Sequence, residues 1–146
     1  MTAAENKASL KAAFEELATG NGAPFAALWA PDFIWTIIGT TTWSKTYRGT
    51  ESIRKDLMTP LFARFATRYT NTATRFIAED DYVVVECHGN VMTKSGQPYN
   101  NTYCYVCRME HGYLKELTEY LDTELVTDAL GDAPPHSDKS SRGRDT

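Results

Sequence analysis

Four β-rich segments in a row, separated by short turn signals, constrain this chain more than any other feature. They are RYTNTATRFIAE, DYVVVECHGNVMT, YNNTYCYVCRME and YLKELTEYLDTELV, with Asp80-Asp81, Ser95-Gly96 and His111-Gly112 at the turns. Runs rich in Val, Tyr, Thr and Phe bounded by Asp, Gly and Ser read as strands. Turns this short leave no room for a crossover, so successive strands pair antiparallel. Such a meander needs a cover for one of its faces, and the cover has to come from the N-terminal half.

That half reads as helices around one strand. In AENKASLKAAFEELATGNG, Leu10, Phe14 and Leu17 fall on one helical stripe that stops at Gly20 and Gly22. APFAALWAPDF predicts a short second helix with Pro24 in its first turn and Pro31 as its end, and DFIWTIIGT predicts a strand. After a loop containing Trp43 and Tyr47, GTESIRKDLMTPLFARFA predicts a third helix with Thr50 as N-cap. Its Ile53, Leu57, Leu61 and Phe65 recur every four residues, and Pro60 should make it bend or restart. In the last segment Leu114, Leu117, Leu121 and Leu125 have helical spacing, yet Leu117, Leu121 and Leu125 also share one strand face, and the preceding turn supplies a strand partner. The closing GDAPPHSDKSSRGRDT lacks apolar anchors, so the expected division is one domain over residues 1–128 and a disordered polar tail over 129–146.

Helices first and a strand meander afterwards imply an α+β domain. At 146 residues and 42% hydrophobic, the chain suits one domain with a real core. The formal charge of −4 argues against nucleic-acid or anionic-membrane partners. Without a signal-like N-terminus or a long apolar run, the chain is expected to be soluble and cytoplasmic. Cys87, Cys104 and Cys107 are an odd count in apolar surroundings, as suits reduced, buried thiols; positions 104 and 107 of a strand face opposite sides and do not close on one metal ion. No Gly-rich phosphate loop and no metal-site spacing is present, so no cofactor is expected.

One strand carries unexpected chemistry. Within DDYVVVECHGN, Val83, Val85 and Cys87 share one face, while Glu86 and His88 share the other. A carboxylate and an imidazole on one face can divide acid and base roles, or can equally be a salt-bridged, solvated face.

The order of elements, with TYRG leading into the middle helix and SGQPYNNTYCYVCRMEHGYLKELTEYLD at the end, resembles the SnoaL-like branch of the nuclear-transport-factor-2-like superfamily over roughly residues 5–126. That resemblance implies a curved antiparallel sheet forming a cone, with the N-terminal helices packed on it and a pocket inside. The superfamily includes ketosteroid isomerases, polyketide cyclases, epoxide-hydrolase-like enzymes, dehydratases and members that only bind partners. Matched to the epoxide-hydrolase-like Asp-Arg-Asp set, Glu86 falls at the arginine, His88 at the first aspartate and Asp122 at the last. Only Asp122 keeps its residue type, and Ile38 and Thr40 stand where a Tyr and an Asn position water, which argues against epoxide hydrolysis.

By resemblance, Asp122 is the expected base or acid, His88 its proton partner, and Glu86 the group that orients His88. Trp43, Tyr47, Asn101, Tyr103 and Tyr120 are the expected substrate-facing wall, with Tyr120 on the face of Asp122. Glu119 is expected to point away and pair with a basic residue. Set against this, Asp122 near a strand end also suits the binding of backbone amides at a turn, and Tyr103 and Tyr105 suit a core or dimer surface. The expected function is a cofactor-independent acid/base enzyme acting on a small, apolar, cyclic or polyketide-like molecule as an isomerase, cyclase, dehydratase or hydrolase. The competing expectation is a non-catalytic ligand-binding or dimerisation module. A homodimer follows from the resemblance alone.

Overall fold

Thr2 and Glu5 start the first helix by capping each other. The Glu5 amide donates to the Thr2 hydroxyl at 3.1 Å, and the Thr2 amide donates to the Glu5 carboxylate at 2.8 Å. In this computed structural model, which describes residues 1–135, the cap opens α1 (Ala3–Leu17), whose Leu10 and Phe14 are buried as the stripe predicts. Helix α2 (Ala23–Ala27) follows with Pro24 in its first turn. Pro31 does not end that helix: it lies inside β1 (Trp29–Ile37), where the pairing shifts register between Trp29 and Ile34. A residue without an N–H is tolerated there because the ladder is already interrupted. Tyr47 is not in a loop either, but at the centre of a short strand, β2 (Thr46–Arg48).

The third helix is built in three pieces: α3 (Thr50–Ser52), a π-helical stretch Ile53–Met58 and α4 (Thr59–Phe62). Thr50 is its first residue rather than its cap, and its hydroxyl donates to the Ala30 carbonyl at 2.7 Å. The expected disturbance at Pro60 takes the form of the π stretch just before it, where the Thr59 amide reaches back to the Arg54 carbonyl. Pro60 has no N–H with which to continue an α ladder, and a wider turn ahead of it accommodates that loss.

The meander forms as its turns dictate: β3 (Thr70–Glu79), β4 (Tyr82–Asn90), β5 (Thr102–Glu110) and β6 (Tyr113–Leu121) pair antiparallel in sequence. Asp80 and His111 take positive φ at 55° and 53°, a conformation that short polar side chains tolerate in tight turns. The six-stranded, curved, unclosed sheet has the order β2-β1-β6-β5-β4-β3, and β1 lies parallel to β6. The last segment resolves into both readings: strand to Leu121, then α5 (Thr123–Leu130). Helix α5 buries Ala129 and Leu130, so the boundary expected at residue 128 falls inside a packed element. From residue 136 onward, the expected tail and His136 lie outside the described residues.

The concave face of the sheet holds the core. Along β4 it presents Val83, Val85 and Cys87, all buried, and then Gly89. The cysteines are free, with Cys104 and Cys107 on opposite faces. No helix among the described residues is long and apolar enough to cross a membrane.

Candidate functional site

The inner face is not filled to its end. Beneath the helices lies a partly open cavity of about 340 Å³, with Trp29, Trp35 and Trp43 among its apolar walls and Gly22, Arg54 and Phe62 at its exposed rim. Strands supply its floor, α5 contributes Val126 and Leu130, and the π stretch contributes Arg54, Leu57 and Met58. Pockets of this size and apolar character take small organic molecules and orient them with a few polar groups.

Among the described residues that line it, only Arg54 and Glu119 carry charge. Glu119 is 6% exposed, and its Oε1 accepts a hydrogen bond from the Trp35 indole N–H at 2.8 Å. Among the described residues, Oε2 has no hydrogen-bond donor. Burial raises the Glu119 carboxyl to about 7 from its usual 4.5, and the Trp35 hydrogen bond offsets only part of that rise. An indole can only donate, so this bond holds the carboxyl without fixing its protonation state.

Four phenols, Tyr69, Tyr99, Tyr103 and Tyr105, and the Asn71 amide add uncharged polar groups to the lining. Burial pushes all four phenols well above the ordinary phenol range, so each keeps its proton. The Asn71 amide donates to Tyr69 at 3.2 Å, Tyr69 donates to Tyr103 at 3.3 Å, and the Asn101 amide donates to Tyr99 at 3.3 Å. Donors arriving at a phenol oxygen leave its own O–H free to be given elsewhere. Gly89 leaves the cluster room, because a Cβ there would lie 3.0 Å from the Tyr69 hydroxyl and 3.1 Å from the Tyr103 ring and would press on both. The buried Trp29 N–H and the buried Asn71 carbonyl oxygen have no partner among the described residues.

The structure does not bring the expected trio together. Glu86 and His88 share a face, but it is the outer one. Glu86 pairs with Arg75 at 3.1 Å with both side chains well exposed, and exposed His88 lies 3.2 Å from the Thr102 hydroxyl. Asp122 is exposed and caps α5, accepting from the Glu124 and Leu125 amides at 3.1 and 3.2 Å. These are the solvated-face and turn-binding arrangements that the same residues also suited.

Of the expected wall, Trp43 and Tyr103 line the cavity. Tyr47 is buried but lines a separate surface groove, and Tyr120 is 48% exposed on the outer face. Asn101, fully buried, exchanges hydrogen bonds with the backbone of Asp122 at 3.0 and 3.1 Å, fixing where β6 hands over to α5.

Glu119 is the residue that sequence reasoning turned the wrong way. Its signal was present: Leu117, Glu119 and Leu121 alternate on one face, so an inward Leu117 and Leu121 carry Glu119 inward with them.

The family profile of the SnoaL-like domain matches residues 10–117. Among curated proteins, none matches the sequence. Similar solved structures include an NTF2-like protein of unknown function from Burkholderia pseudomallei K96243, 18% identical with a TM-score of 0.74 over 89% of this chain and 98% of that one. A provisionally assigned SnoaL-like polyketide cyclase from Jannaschia sp. CCS1 is 18% identical with a TM-score of 0.71, over 90% of this chain and 94% of that one. A provisionally assigned isomerase from Bacillus subtilis is 18% identical with a TM-score of 0.69, over 91% and 98%. At such identity these likenesses concern the fold. With the profile spanning most of the chain and the helix-covered, curved sheet in place, the protein belongs to the SnoaL-like domain family, of NTF2-like fold.

Proposed function

We propose that this chain is a cofactor-independent acid/base enzyme for a small, apolar, ring-containing molecule, with Glu119 as the proton carrier. The observation that carries the reading is a single carboxyl, poised near neutrality, in the wall of an otherwise apolar cavity that also holds protonated phenols. Ionised Glu119 takes a proton from carbon beside a substrate carbonyl, and the carbonyl oxygen gains the negative charge. A phenol O–H donates to that oxygen, and the low-dielectric wall strengthens the bond. Glu119 then returns its proton to another carbon, which completes an isomerisation; in a ring closure the enolate carbon instead attacks a second carbonyl, whose oxygen takes the proton back from Glu119. The cyclase and isomerase assignments of similar structures accord with a shared enolate chemistry.

The test uses 2-tetralone, a bicyclic ketone with acidic C–H groups, and follows deuterium uptake from solvent by NMR. Wild-type protein should accelerate exchange, with a rate rising through about pH 7. Glu119→Gln keeps the shape and an acceptor for Trp35 but lowers the rate by about 10²–10⁴-fold. Equal exchange by both proteins removes Glu119 from the chemistry. Binding of tetralone without any exchange turns the reading into a non-catalytic pocket.

A further inference from the structure

Arg54 is a cation placed at the rim of an apolar cavity. Among the described residues it forms no ion pair, although its own helix carries Asp56 two residues away. Its guanidinium lies over the Trp29 ring, 5.6 Å from the centroid. A cation over an indole face is held there by the ring, and a guanidinium can grip a carboxylate with two parallel hydrogen bonds. Trp29 also owns a buried donor, its indole N–H, that has no acceptor among the described residues.

The surroundings say how far this charge stands from the chemistry. Trp29 packs edge-on against Trp35 with ring centroids 6.0 Å apart, and Trp35 holds Glu119. Arg54 and Glu119 are thus separated by two indole rings along one wall. A molecule lying on that wall would meet the cation at the solvent end and the proton carrier at the buried end, with the two indoles between. The π stretch sets this up, since it carries Arg54 at the cavity beside Leu57 and Met58.

Resting on the reading of Glu119 as proton carrier, we infer that the substrate bears an anionic head group, a carboxylate or an ionised enol, which Arg54 holds at the rim while the apolar ring body enters the cavity. Arg54 is then a specificity-determining residue. It selects ring acids over neutral rings of the same shape, and it orients the ring so that a carbon away from the head faces Glu119.

The experiment compares 2-naphthoate with 2-naphthamide at about pH 6, where the acid is ionised and Glu119 still holds its proton. Binding is read by quenching of tryptophan fluorescence, because Trp29, Trp35 and Trp43 all line the cavity. Wild-type protein should bind naphthoate about tenfold more tightly than naphthamide. In Arg54→Gln the preference should vanish through loss of naphthoate affinity, with naphthamide unchanged; Arg54 is exposed, so the fold tolerates the change. Equal affinities in wild type, a preference that survives in Arg54→Gln, or no binding of either compound overturns the inference. Tetralone exchange is measured independently, so a failure here is distinguishable from a failure of Glu119.

Discussion

Glu119 is a carboxyl that the fold holds in an environment unsuited to its charge. Its value of about 7 in the folded protein lies above the ordinary 4.5, so between those values the folded chain binds more protons than the unfolded one. Stability therefore falls as pH rises through that window. Below it the group is protonated in both states and contributes nothing; above it the loss is complete, at about 3 kcal/mol. Urea unfolding of wild type near pH 5 and pH 8 should show this loss, and Glu119→Gln should remove most of it. A pH dependence unchanged in the variant would place it on other groups. The residue was within reach of the sequence, since alternation from Leu117 dictates its direction. What misled the reading was Asp122, whose residue type matched a family position but whose geometry is that of a helix cap. Glu86 and His88 show the converse: their sharing of a face was legible, whereas which face held the cavity depended on where the helices lay.

Among the elements, α5 closes one end of the cavity, and it is fastened at its last turn. Arg64 donates from Nε to the Leu130 carbonyl at 2.9 Å and through its terminal nitrogens to the Pro60 and Asp132 carbonyls at 2.9 and 2.6 Å. Its guanidinium also lies over Trp43, whose indole N–H donates to the Gly131 carbonyl at 2.9 Å. Helix ends leave carbonyls without partners, and here one arginine and one tryptophan supply them. Arg64→Leu should cost about 2 kcal/mol, and hydrogen exchange should quicken at residues 126–133 while β3 to β5 stay protected. Uniform quickening would show that the clasp supports the whole fold instead. Turn chemistry made the meander readable, because Asp80-Asp81 and His111-Gly112 are strong local signals. The π stretch was only half readable: Pro60 announced a disturbance, but its form depends on how the widened turn seats Ile53 and Leu57 in the core. Nothing local announces that β1 lies against β6, because that pairing joins residues distant in sequence.

At the scale of the whole molecule, the sheet has one face under helices and one without cover among the described residues. Across that outer face, Ile77, Val84, Val106 and Thr118 form a row through four strands, flanked by the Arg75–Glu86 and Arg108–Glu116 ion pairs. The homodimer expected by resemblance would have this row to form on. Light scattering should then give twice the 16.4 kDa chain mass for wild type and the single mass for Val106→Arg; a monomer mass for wild type removes the expectation. The parallel pairing of β1 with β6 has a separate consequence for how the protein is born. Ile34 to Ile37 find their partners at Glu116 to Glu119, so a nascent chain has made its first strand long before that strand's neighbour leaves the ribosome. Trp29 and Trp35 lack Leu114 and Leu117, their partners in β6, through that interval, and closing so long a loop is slow. Only once β6 has been made and has paired with β1 does the cavity have a wall for Glu119 to stand in.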